Sequence, residues 1–161
     1  MQKKFKCLPL DKIYITQHFG DSPEFYKKYC LKGHNGIDFR TKFNDSPLGK
    51  REIYAVDDGV IDKVVIAKLG GYGTYVKLKH DDGSFTIYGH QYVPKVKKGQ
   101  RVVAGDTIGI SDNTGDSTGP HLHLGYIPPN PDLNNGYKGY IDFYDIMPLP
   151  PRNKFVGCEI G

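Results

Sequence analysis

Gly59-Val60-Ile61-Asp62-Lys63-Val64-Val65-Ile66, then Gly70-Gly71, then Tyr72-Gly73-Thr74-Tyr75-Val76-Lys77-Leu78-Lys79-His80 and, past Asp81-Asp82-Gly83, Ser84-Phe85-Thr86-Ile87-Tyr88-Gly89-His90 form the stretch that sets the architecture. β-Branched and aromatic residues dominate each run, and glycines, two of them in Asp-Gly pairs of the hairpin-closing kind, punctuate the runs. With Glu52-Ile53-Tyr54-Ala55-Val56 ahead of it, joined through Asp57-Asp58-Gly59, the whole is expected to be an antiparallel meander. His80 stands directly before a hairpin turn, where an exposed role is expected. His90 closes a strand, so it is expected to point from the rim of a sheet.

The rest of the composition agrees with a mostly β protein. The chain has 161 residues, of which 38% are apolar, with 20 Gly and 12 Tyr. That length suits one domain whose single core buries about two-thirds of the unfolded surface. Net charge is +4, from 22 basic and 18 acidic residues. The charges are interspersed, which gives mild attraction to polyanions such as an anionic cell wall and no clustered footprint for nucleic acid. No run of about 18 apolar residues is present, so no membrane-spanning helix is expected.

Toward the N-terminus, Met1 to Lys6 begins like the basic end of a signal peptide, but Asp11 and Lys12 interrupt any apolar stretch, and no classical export signal is expected. Residues 12 to 19 read as a first strand. Pro23 to Cys30 is the best helix candidate, with Ser22 as N-cap, Pro23 at the first helical position and Gly33 beyond its end. Toward the C-terminus, Val93 to Gln100 reads as a loop and Arg101 to Ile110 as two short strands around a glycine turn. The proline-rich part from Pro128 reads as a wrapping extension, with Tyr140 to Met147 its one ordered piece. Cys7, Cys30 and Cys158 form no recognisable metal or disulfide framework and read as buried or free thiols.

Chemistry concentrates in two other places. In Gly119-Pro120-His121-Leu122-His123-Leu124-Gly125 the two imidazoles lie one residue apart, so in an extended segment both face one point, as metal ligands or as an acid/base pair. In Gly33-His34-Asn35-Gly36-Ile37-Asp38-Phe39, His34, Gly36 and Asp38 would share one face of a strand, with the glycine leaving room for an ion. Two glycines in four residues argue against a helix there. His18 shows no partner in the sequence and reads as structural or exposed.

Gly-His-Asn-Gly-Ile-Asp-Phe at 33–39, Tyr-Gly-His at 88–90 and Ser-Thr-Gly-Pro-His-Leu-His at 117–123 resemble, in order and spacing, the three motifs of the LytM and lysostaphin family of zinc peptidoglycan endopeptidases. The similarity covers roughly residues 13 to 127, including Val-Val-Ala-Gly-Asp-Thr-Ile-Gly at 102–109. It implies an antiparallel β-sheet core of duplicated-hybrid-motif type with an open groove, to which the reading of Pro23 to Cys30 adds one short helix near the N-terminus. A catalytic domain over 1–127 and a C-terminal extension over 128–161 packed on it would follow. By the same resemblance His34, Asp38 and His123 would bind one Zn2+, and His90 and His121 would serve the chemistry. Two imidazoles and a carboxylate are a usual catalytic zinc set, and histidine suits proton transfer near neutral pH.

The expected activity is therefore hydrolysis of peptide cross-links or stem peptides of bacterial peptidoglycan, by a monomer acting on the cell wall. Without an export signal, a phage-type endolysin released by lysis, a virion-carried enzyme or a truncated chain is expected. Two other readings are a catalytically inactive relative that binds peptidoglycan or activates another hydrolase, and a histidine phosphocarrier domain on the same broad fold. Neither makes use of a complete three-ligand zinc set.

Overall fold

The computed structural model describes residues 3–147 and a short pairing at 154–155. In chain order its elements are β1 (Lys12–Ile13), β2 (Ile15–Gln17), α1 (Pro23–Tyr26), a 3₁₀ turn (Lys27–Tyr29), β3 (Ile37–Arg40), β4 (Glu52–Tyr54), β5 (Gly59–Val65), β6 (Thr74–His80), β7 (Phe85–Pro94), β8 (Arg101–Val102), β9 (Thr107–Ser111), β10 (His121–Ile127) and β11 (Lys154–Phe155). β1 pairs with β11, and the other strands build one antiparallel sheet in the order β2-β3-β10-β7-β6-β5-β8, with β4 joined through β9 to the far end of β7. The mostly β class and the single short helix are as the sequence predicts. No helix among the described residues is long and apolar enough to cross a membrane.

Period-two burial explains why these segments are strands. Thr74, Val76, Leu78 and His80 of β6 are buried while Tyr75, Lys77 and Lys79 are not. Ile37, Phe39, Ile53, Leu78, Tyr88, Leu122 and Leu124 meet in the core, each fully buried. Each aliphatic member contributes about 1.5–3 kcal/mol by leaving water. The segment after β10 returns to this core: Ile141 N–H donates to the Tyr126 carbonyl at 3.1 Å, and Phe143 and Met147 are buried.

The meander is partly corrected. β5, β6 and β7 do form successive hairpins, and Gly83 takes φ 88° in the turn after His80. β4 instead pairs with β9, so Asp57-Asp58-Gly59 is a crossover. Gly59 lacks the positive φ of a hairpin glycine and serves close strand approach, since a Cβ there would lie 2.2 Å from the Lys79 carbonyl oxygen. Asp58 is used in tying down the crossover, its Oδ1 accepting from Ala104 N–H at 2.9 Å.

Three further readings change. The strand expected over 12–19 splits into β1 and β2, which pair with different partners. Ser22 sits at φ 55° and makes no side-chain cap, although Pro23 does open the helix. Cys7 is buried and disulfide-bonded rather than a thiol, Cys30 is free, and Cys158 and the prolines from Pro148 onward lie outside the described residues.

His80 is not exposed. Its Nδ1–H donates to the Asp58 carbonyl at 2.9 Å, and its Nε2 lies 2.9 Å from Thr86 Oγ1, with Phe5 against the ring. Burial first, and Lys3 nearby, lower its pKa, against the opposing pull of the Asp58 carbonyl, Asp57 and Asp82. A histidine kept neutral in the fold but protonated more readily when unfolded contributes stability that is full above about pH 6.5 and is lost as pH falls through the folded pKa. His80→Ala is expected to cost about 1–3 kcal/mol and to flatten this part of the stability–pH curve, measured by urea unfolding between pH 7 and 5.

Candidate metal centre and active site

β10 lies between β3 and β7, and that neighbourhood assembles the site. Across the ladder His123 faces Asp38 of β3 on one side and Gly89 of β7 on the other. His34 precedes β3 in irregular chain between two bends rather than lying within a strand. Gly36 is needed for a reason other than the expected one. A Cβ there would fall 2.4 Å from the Leu124 carbonyl oxygen and 2.7 Å from Cε1 of His123, so the glycine makes room for the His123 ring.

His34 Nε2, Asp38 Oδ1 and His123 Nδ1 form a small triangle. The His34–His123, His34–Asp38 and His123–Asp38 separations are 3.0, 3.0 and 3.2 Å. Donors bound at 2.0–2.1 Å around a tetrahedral zinc would be about 3.3 Å apart, so the triangle fits such an ion. Protonation supports the same fit. His34 Nδ1 donates to the His18 carbonyl at 3.2 Å, which leaves Nε2 with a lone pair. With Asp38 ionised, the three converging atoms then share at most one proton, and a cation is what satisfies all of them. His123 Nε2 is buried without a hydrogen-bond partner among the described residues, consistent with Nδ1 being the working atom.

Electrostatics reflect this crowding. Burial opposes the Asp38 charge, but hydrogen bonds from His123 and His34 and the nearness of His121 outweigh it and hold the carboxyl well below the usual range. Burial chiefly lowers the His123 pKa, against its Asp38 contact. His90 is pushed down to about 3, by burial and then by the facing His121 and His123.

The remaining two histidines flank the triangle. His121 shares the face of β10 with His123, and its Nε2 is 3.4 Å from Asp38 Oδ2. Its Nδ1 donates to the Gly119 carbonyl at 2.8 Å, with Ser117 Oγ at 3.2 Å. His90 Nδ1 donates to the Thr114 carbonyl at 2.6 Å, and its ring centre is 4.6 Å from that of His121. In both rings the backbone carbonyl fixes the proton on Nδ1 and leaves Nε2 with a lone pair that can take a proton. All of these side chains line one cavity of about 660 Å³.

His90 does not end its strand, as its sequence position suggests. β7 continues to Pro94 because His90, at φ 59°, forms the bulge where the strand leaves β10 and begins pairing with β9. Its N–H donates to the Tyr72 carbonyl at 2.7 Å, and its carbonyl accepts from Asp112 N–H at 3.0 Å. A left-handed backbone on a non-glycine residue costs of the order of 1–3 kcal/mol, a strain typical of functional positions.

The model of peptidase family M23 matches residues 32–134, which take in all of these side chains. The chain belongs to peptidase family M23. Peptidoglycan DD-endopeptidase ShyA of Vibrio cholerae is 38% identical over 158 residues, covering 97% of this chain and 34% of that protein. Among solved structures, a zinc-containing peptidase from Vibrio cholerae superposes with a TM-score of 0.67 at 28% identity, covering 88% of this chain and 39% of that one. The catalytic domain of lysostaphin from Staphylococcus simulans superposes with a TM-score of 0.59 at 25% identity, covering 88% and 90%. The chain thus spans about a third of the ShyA sequence. Membership of an M23 family sets aside the phosphocarrier reading.

Sequence reasoning missed several residues of this M23 site. The backbone carbonyls of His18, Thr114 and Gly119 orient three rings, and a carbonyl leaves no mark on residue type. Asn35, Tyr72 and Tyr140 also line the cavity. For Asn35, its place between His34 and Gly36 was the available signal.

Proposed function

We propose that the protein is a zinc metallo-endopeptidase that cuts peptide bonds of bacterial peptidoglycan, with His34, Asp38 and His123 holding the ion and His90 and His121 handling protons. The observation that carries the reading is the triangle of donor atoms at 3.0–3.2 Å with two tautomer-fixed imidazoles beside it. Zinc bound there would supply a Lewis acid and a water that ionises near neutral pH.

The chain's own part follows from its geometry. His90 and His121 line the groove with Nδ1–H committed to backbone carbonyls, so Nε2 of either ring can accept a proton from an attacking water and, once protonated, donate to the developing oxyanion or the leaving amine. Their placement on different strands lets them approach a substrate from two sides. One chain carries all five side chains, so the proposed site is complete in a monomer.

Support for the substrate comes from ShyA, which is a peptidoglycan DD-endopeptidase, and from a groove walled by Tyr26, Tyr29, Tyr72 and Tyr140 with Gly71 beside them. The cell wall is the proposed place of action. Purified protein is expected to release free amino groups from bacterial peptidoglycan, and no reducing sugar. New reducing ends without new amines would overturn the reaction class.

A further inference from the structure

Tyr72 and Tyr140 face the same cavity from segments far apart in the chain, near enough for their phenol groups to act on each other electrostatically. The Tyr72 ring lies against His123, with centroids 5.1 Å apart and planes at 32°. Gly89 seats it, because a Cβ there would already touch Tyr72 Cβ at 3.4 Å. Tyr140 is buried and packs its ring over Gly125, where a Cβ would come within 2.8 Å of Tyr140 Cε1. Asn35, next to the first histidine of the triangle, donates from Nδ2 to the Tyr72 oxygen at 2.8 Å.

A proton count gives this group a direction. An amide nitrogen only donates, so Asn35 occupies one lone pair of Tyr72. Tyr72 also carries an O–H proton of its own, and no hydrogen bond donated by that O–H is found among the described residues. It is therefore a donor left over at the cavity wall. A half-buried donor without an acceptor beside a peptidase centre is complementary to a carbonyl oxygen.

We infer that the Tyr72 hydroxyl, held by Asn35, binds a main-chain carbonyl oxygen of the peptide next to the scissile bond. The inference rests on the peptidase reading and adds a substrate-binding donor to it. The carbonyl belongs to every peptide link, so the contact holds the backbone in register and leaves side-chain selection to the rest of the groove.

The test compares zinc-loaded wild type, Tyr72→Phe and Tyr140→Phe on a purified cross-linked stem-peptide dimer, with zinc content and melting temperature measured in parallel. Tyr72→Phe is expected to raise KM about tenfold, the loss of one neutral hydrogen bond, with kcat changed less than threefold and zinc stoichiometric. Tyr140→Phe keeps the Tyr72 donor and is expected to raise KM less than threefold. An unchanged KM in Tyr72→Phe overturns the inference, and so does an equal rise in both variants, which would mark the pair as packing alone. A wild-type protein that leaves the dimer uncut refutes the peptidase reading itself. If Tyr72→Phe does not fold, loss of dimer binding to zinc-loaded Asn35→Ala, read by calorimetry against wild type, carries the same decision, since Asn35 orients the phenol; undiminished binding overturns it.

Discussion

His34→Ala, Asp38→Ala and His123→Ala are each expected to yield a folded protein that purifies without zinc and without measurable peptidoglycan hydrolysis. The three donor atoms lie 3.0–3.2 Å from one another, so each completes a site that the other two cannot close. Asp38 carries the added penalty of charge: without it, two buried imidazoles would face a dication with no compensating carboxylate. Elemental analysis after gel filtration reads the outcome, and circular dichroism checks the fold. Undiminished zinc in His34→Ala would sink the ligand assignment. Loss of the ion also removes binding free energy from the native state, so chelation of wild-type protein is expected to lower its melting temperature.

His90→Ala and His121→Ala are expected to behave in the opposite way, keeping near-stoichiometric zinc while turnover falls by about 10²- to 10⁴-fold, the usual contribution of a positioned acid or base. Their Nδ1 atoms are committed to backbone carbonyls of Thr114 and Gly119, and both rings line the groove outside the donor triangle, His121 Nε2 lying 3.4 Å from Asp38 Oδ2. The rings differ in support. His90 sits in a strained backbone bulge fixed by Tyr72 and Asp112, while His121 lies in a regular strand. Single-turnover rates with metal analysis on the same samples separate the roles. Zinc lost from either variant but kept by His123→Ala would show that ligands and proton carriers had been exchanged; full activity in both would mean that neither ring moves the proton.

Much of this was legible in the amino-acid order because local chemistry has local signatures. Alternation predicts β5, β6 and β7, and the His-x-His spacing puts two rings on one face of β10 whatever lies beside it. The same alternation, followed one step further through Val76 and Leu78, would have placed His80 inside; weight given to the adjacent turn hid it. Gly59 misled because glycine serves both tight turns and close strand contacts, and only the Lys79 carbonyl on the neighbouring strand tells them apart.

By itself the sequence determined that the chain is mostly β, which histidines and which aspartate are candidates for chemistry, and which family the motifs resemble, since each depends on residue type and short spacing. Tertiary structure decided the rest: that β10 runs between β3 and β7, that β7 bends at His90 to change partners, and that carbonyls of His18, Thr114 and Gly119 set the ring tautomers. Strand order depends on contacts across tens of residues, and every residue offers the same carbonyl, so neither can be read from neighbouring side chains.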